Sequence, residues 1–174
     1  MVINLNSIIM KKNIFFIAFC VVLVVGLSSC KDESNTSYLT TSKGWTLTAA
    51  TSQPDYELLN GNSISSLFDG YLYDCELDDI IYFKEDGSQT LDPKNDLCED
   101  GYTETTAIGV WSFNEDETKL NMQIPFFYDE AVETVDIVTL DKNTLKINYT
   151  FIEDDANPAK EQREYTFTLT YTRN

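Results

Sequence analysis

Apolar and polar residues alternate along much of the second half of this chain. Leu145, Ile147, Tyr149 and Phe151 alternate with Lys146, Asn148 and Thr150, and Tyr165, Phe167, Leu169 and Tyr171 alternate with threonines. A period of two puts each apolar set on one face of a half-buried strand. The same signature predicts strands over Gly44–Ala49, with Trp45, Leu47 and Ala49 inward, over Ala107–Phe113, with Trp111 and Phe113 on one side, and over Lys119–Ile124, with Leu120, Met122 and Ile124 sharing a face. Asp79–Lys84 and Ser88–Leu91 flank Glu85-Asp86-Gly87, and Asp-Gly between two such runs is a strong hairpin signal. Ala131–Leu140 changes face partway: Val135 and Ile137 share one side, Val138 and Leu140 the other, and a bulge near Ile137 reconciles the two.

The remaining stretches are less regular. Leu39–Ser42 reads as a short turn, and residues 52–70 are broken by Pro54, Gly61, Asn62 and Gly70. Ile64, Leu67 and Phe68 stand there at helical spacing, which predicts one short helix. Eight strands in sequential hairpin order make an up-and-down antiparallel meander. Such a meander exposes two edges unless it closes on itself, and at eight strands closure leaves room for side chains or one small ligand. The expected fold is therefore all-β, an eight-stranded up-and-down antiparallel barrel. A two-sheet sandwich is the alternative that periodicity does not exclude.

The front of the chain follows a different pattern. Lys11 and Lys12 precede an uncharged apolar run, Ile14–Leu27, which Leu27-Ser28-Ser29-Cys30 closes. These are the parts of a secretory signal. The run is shorter than the ~20 apolar residues a membrane span requires, and a core helix would hardly open on a lysine pair. Leu-Ser-Ser-Cys resembles the lipobox of bacterial lipoproteins, which implies that residues 1–29 are removed and that Cys30 receives the lipid. Met10, directly before the lysines, is the expected translation start. Lys31-Asp32-Glu33-Ser34-Asn35-Thr36-Ser37 is polar and aperiodic and reads as a flexible tether, so residues 30–43 are assigned to the lipidated cysteine and its linker and 44–174 to the barrel. The charged Lys-Asp-Glu after the cysteine resembles the signal that exports Bacteroidota lipoproteins to the outer face of the outer membrane, and it implies display at the cell surface.

Composition narrows the classes further. From Cys30 onward 145 residues remain, the size of one domain. That part holds ten basic against 29 acidic residues, a formal net charge of −19. Nucleic acid is excluded as a partner, because phosphate contacts need clustered Lys and Arg; the charge by itself implies solubility and no particular partner. Cys20 leaves with the signal and Cys30 is taken by the lipid, so Cys75 and Cys98 remain as one pair. In an exported protein the default is a disulfide, here stapling the open ends of the Asp-Gly hairpin. A metal or redox pair is the competing reading, but there is no CxxC and no histidine anywhere.

A family resemblance runs through the mature chain. The order Gly44-x-x-Leu47, Cys75-x-x-Asp78-Asp79-Ile80-x-x-Phe83-x-x-Asp86-Gly87, Cys98, Gly109-x-Trp111-Ser112 and Leu140-x-x-x-Thr144-Leu145-Lys146-Ile147-x-Tyr149 resembles the lipocalin-like lipoproteins of Bacteroidota. The resemblance implies an eight-stranded lipocalin-like barrel with a disulfide and no assigned reaction. The segment Pro54–Gly70 departs from the pattern and is placed to cap one mouth of the barrel.

Catalysis finds little support. Without histidine the usual proton shuttle and serine-triad base are both missing. Asp78/Asp79 and Asp154/Asp155 are paired carboxylates, yet neighbours on an extended strand point to opposite faces and cannot share a glycosidase cleft. The oxygen-rich stretches Asp92–Asp96 and Glu153–Asn157 miss the D-x-[DN]-x-[DN]-G calcium template and read as solvated turns. No metal, no cofactor and no enzymatic activity are expected. The leading function is a binding module, an outer-membrane lipoprotein anchored through its lipid, whose barrel lining of Trp45, Leu47, Phe83, Trp111, Met122, Tyr149, Phe151, Phe167 and Leu169 holds a small hydrophobic or amphipathic ligand. The same residues at the same spacing would also make a filled core, and the alternative function is a surface-displayed structural or interaction lipoprotein with no ligand pocket.

Overall fold

The computed structural model describes residues 34–95, 97–98, 103–127, 131–153 and 162–174. The signal segment, Cys30, the start of the tether and the residues 154–161 that hold Asp154/Asp155 lie outside the described residues, as does Asp96. Ten strand segments make up one antiparallel sheet among the described residues: β1 (Trp45–Glu57), β2 (Ser63–Ser66), β3 (Ile80–Phe83), β4 (Ser88–Asp92), β5 (Thr106–Val110), β6 (Ser112–Phe113), β7 (Lys119–Met122), β8 (Glu133–Leu140), β9 (Thr144–Glu153) and β10 (Arg163–Arg173). Hydrogen bonding runs in the order β5-β4-β3-β1-β10-β9-β8-β7-β6, with β2 added to β1.

The two ends of that path, β5 and β6, are consecutive in the chain and separated only by Trp111. One run thus pairs with β4 over its first half and with β7 over its second, and the sheet becomes a nearly closed antiparallel barrel. Trp111 pins the changeover. Its backbone N–H donates to the Gly87 carbonyl at 2.8 Å and its indole N–H to the Lys84 carbonyl at 2.9 Å, so both bonds go to the β3–β4 turn. The expected count of eight strands is corrected to ten segments: eight make the ring if Thr106–Phe113 counts as one, and β2 is an addition on β1. The sandwich alternative falls with this topology.

The alternation read from the sequence is realised most fully in β9 and β10, which pair in unbroken register from Arg163↔Glu153 to Thr172↔Thr144. Leu145, Ile147, Tyr165, Phe167, Leu169 and Tyr171 are buried, and burying each of the leucines, Ile147 and Phe167 contributes about 1.5–3 kcal/mol. Threonines, Lys146 and Asn148 take the outer face, the reverse of a transmembrane barrel, whose apolar residues face lipid. No helix among the described residues is long and apolar enough to cross a membrane. In β8 the register shifts between Ile137 and Thr139, where the change of face called for a bulge.

Three expectations are corrected. A bulge between Leu47 and Ala49 turns Ala49 outward and brings Ala50 and Ser52 inside, so β1 does not keep a single period. The end of the tether folds into a helix, α1 (Asn35–Leu39), whose N-cap Ser34 accepts from the Ser37 N–H at 3.2 Å and whose Leu39 is fully buried, and the expected turn follows it. The short helix expected around Ile64–Phe68 is instead β2 followed by a single 3-10 turn, Leu67–Asp69, because Ser63–Ile64 pair with Tyr56–Glu57 of a β1 that runs past Pro54.

Ser34–Asn174 forms one compact unit, and α1 closes one end of its barrel. Trp45 donates from its indole N–H to the Leu39 carbonyl at 2.9 Å, and Arg173 donates to the Tyr38 carbonyl at 2.8 Å while its guanidinium lies 5.2 Å from the Trp45 ring. The first residue of β1 and the last of β10 therefore satisfy the carbonyls that the helix end leaves open. Gly44 enters β1 with φ +71°, and a Cβ there would lie 2.4 Å from Ile80 Cγ2, so only glycine fits.

Candidate functional site

The opposite end of the barrel is built from rings. Tyr56 lies near the end of β1, Tyr149 and Phe151 near the end of β9, Tyr165 and Phe167 at the start of β10, and Phe126 and Phe127 just beyond β7. Period two aims the β9 and β10 rings inward, and hairpin connection brings the strand ends together. Tyr56 meets Tyr165 edge-on at 5.1 Å and Phe167 at 5.6 Å; Phe127 stacks on Phe167 at 5.3 Å and sits 5.2 Å from Tyr149. Phe151 lies between Tyr165 at 5.5 Å and Phe167 at 5.0 Å. Each such pair adds about 0.5–1.5 kcal/mol beyond area burial, which makes the cluster a stable floor.

The segment after β1 crosses this end. Leu67 and Leu72 enter the core, and Tyr71 joins Tyr56 at 5.5 Å to Phe127 at 6.1 Å. At this end Tyr165, Phe167 and Phe126 are buried, while Tyr56, Tyr71, Phe127, Tyr149 and Phe151 are half-buried.

All nine candidate lining residues belong to this core or pack against it. Tyr149, Phe151 and Phe167 belong to the mouth, whereas Trp45 lies against α1 and Phe83 and Trp111 make a separate edge-to-face pair at 6.0 Å, extended by Phe113 at 5.6 Å. Tyr56, Tyr71, Phe126 and Phe127 were outside the sequence-based lining. The first two sit beside Pro54 and Gly70, and the second two follow Pro125, so their neighbours read as loop.

Charges gather at the rim. Arg163 is the register partner of Glu153 across β9–β10 and forms an ion pair with Glu57 at the end of β1. The Tyr56 phenol is raised above its ordinary pKa, first by burial and then by Glu153 and Tyr165.

A second group of polar residues flanks the disulfide. Cys75, in the 3-10 turn Asp74–Glu76, bonds to Cys98 with a Cα separation of 5.3 Å and ties the approach to β3 to the exit from β4. Asp78 and Asp79 stand in the bend before β3 rather than on the strand, so the opposite-face argument does not apply to them. Burial first, then Asp78, Glu76 and Asp92, pushes the Asp79 carboxyl up to about 7. Its neighbours are engaged in turn contacts: Asp78 accepts from the Asn95 N–H at 3.1 Å, Glu76 from the Tyr73 N–H at 2.9 Å, and Asp92 from Lys94 at 2.6 Å. Among the described residues no three His, Cys, Asp or Glu side chains are arranged to hold a metal ion.

A nearly closed antiparallel barrel of hairpin-linked strands with an aromatic mouth has the architecture of a lipocalin-like domain. A family model described as a lipocalin-like domain matches residues 41–147, more than half of the chain, and the chain belongs to that family. No curated protein and no solved structure matches it. The match stops at Ile147, so the mouth rings on β9 and β10 lie beyond it.

Proposed function

We propose that this chain is a lipid-anchored outer-membrane lipoprotein of the Bacteroidota type, displayed at the cell surface through Cys30, whose lipocalin-like barrel binds a small hydrophobic or amphipathic molecule and catalyses no reaction. The observation that carries the binding reading is the half-buried set of Tyr56, Tyr71, Phe127, Tyr149 and Phe151 above a buried ring floor, at the barrel end opposite α1. Apolar walls with a few phenolic hydroxyls are the usual lining of small-molecule sites. The packed rings beneath favour a ligand seated at the mouth over one deep in the barrel. Lys11, Lys12, the apolar run and Leu27-Ser28-Ser29-Cys30 support the lipid anchor, the formal net charge of −17 speaks against nucleic acid, and the absence of histidine speaks against most acid–base catalysis.

Native mass spectrometry of the protein purified from its own membrane tests both parts. The expected spectrum shows a diacyl or triacyl mass increment on the peptide beginning at Cys30 and a non-covalent small-molecule adduct on the intact domain. An unmodified Cys30 overturns the anchor, and a mature protein repeatedly free of adducts that also ignores added hydrophobic probes overturns the binding role.

A further inference from the structure

Glu57, Glu153 and Arg163 edge the aromatic mouth with two carboxylates to one guanidinium. Arg163 is already neutralised by Glu57 and faces Glu153 in register, so it offers little to an anion. The ring faces beside these groups carry the negative side of the aromatic quadrupole, which attracts a cation held within about 6 Å of a ring centroid. Tyr56 belongs to both sets, since it precedes Glu57, touches four rings and stands within the field of Glu153. At longer range the formal net charge of −19 from Cys30 onward, 10 basic against 29 acidic residues, concentrates cations and repels anions around the whole domain.

We infer that the mouth is selective for organic cations: a small molecule with an apolar body and a quaternary or protonated amine, its charge held by the faces of Tyr56, Tyr149 and Phe151 under the surplus carboxylate of Glu57 and Glu153. This rests on the mouth being the binding site. The organic cation competes with Arg163 for the same two carboxylates, and the rings make up the difference because a weakly hydrated alkylammonium loses less on leaving water than a primary ammonium or a metal ion does.

The test uses three probes of one shape, para-hydroxyphenyl-trimethylammonium, para-tert-butylphenol and para-hydroxybenzenesulfonate, titrated calorimetrically against the full chain in zwitterionic-lipid nanodiscs, with empty discs as the blank. The cation is expected to bind about tenfold more tightly than the neutral isostere, and the sulfonate not at all. Glu153→Gln should weaken the cation several-fold and leave the neutral probe unchanged, while Arg163→Gln should strengthen the cation. Equal or tighter binding of the neutral isostere, or sulfonate binding that Arg163→Gln abolishes, overturns cation selectivity and leaves the mouth standing as a site. Absence of binding by all three probes overturns the mouth itself and the inference with it.

Discussion

Gln89 of β4 and Gln123, just past β7, are joined by two hydrogen bonds: the Gln89 side-chain amide donates to the Gln123 carbonyl at 2.7 Å and accepts from the Gln123 N–H at 2.9 Å. Both residues are buried. A side-chain amide has the donor and acceptor of a peptide group, so Gln89 supplies the ladder contact that the sheet lacks between β4 and the chain beyond β7. Gly109 of β5 lies at the same seam, where an added Cβ would stand 2.8 Å from Gln123 Oε1.

Replacing Gln89 should therefore cost more than an ordinary glutamine. Gln89→Ala leaves a buried N–H and a buried C=O without partners, and a loss of about 2–4 kcal/mol is expected in denaturant unfolding. Gly109→Ala, which displaces Gln123, should destabilise through the same seam, and the two effects should be less than additive in a double-mutant cycle. Full additivity would show that the seam is not a shared element.

The pair Cys75–Cys98 closes a loop around the β3–β4 hairpin, with 23 residues of sequence separation. On the chain-entropy view, opening it costs about 3 kcal/mol, a fall in Tm of roughly 10 °C for a domain of this size. The Cys75→Ser/Cys98→Ser variant checks this by thermal melting. An unchanged Tm would mean that the hairpin ends are held by other contacts.

Asp79 gives the fold a pH dependence of unusual sign. Its carboxyl titrates near 3.8 when unfolded and at about 7 in the fold, so the folded protein binds more protons between those values. Stability contributed by the protonated carboxyl is present below the unfolded pKa and is lost as pH rises through the folded one. Asp79→Asn should raise Tm at pH 8, with the gain shrinking toward pH 4. Asp86, Asp92 and Asp116, whose pKa values are lowered by hydrogen bonds from Ser88, Lys94 and Thr118, contribute in the opposite direction and are common to both proteins. A gain that does not change with pH would contradict the assignment.

The sheet was legible wherever one face of a strand is buried along its whole length. Leu145 to Phe151 and Tyr165 to Tyr171 declare their register because every second side chain enters the core, and the face change at Ile137 announced its own bulge. Three features carried no such signal. Ala49 and Ala50 are alike in size, so the bulge that exchanges them leaves no trace in hydropathy. The helix Asn35–Leu39 is polar except at its C-terminal end and is fixed by Trp45 and Arg173, the latter more than 130 residues away. Gln89 and Gln123 are polar residues that nothing in the alternation marks as buried until the fold brings them together. At the mouth, the rings on β9 and β10 were visible through alternation, whereas Tyr56, Tyr71 and Phe127 are supplied by proline- and glycine-broken segments whose path only tertiary packing decides.

The role assigned to the mouth is tested most directly by NMR of protein labelled at phenylalanine and tyrosine and titrated with para-tert-butylphenol. Saturable shifts confined to Tyr56, Tyr71, Phe127, Tyr149 and Phe151, with Phe83 and Phe113 unmoved, are the expected result. Shifts centred on Phe83 and Phe113, or none that saturate, would contradict it.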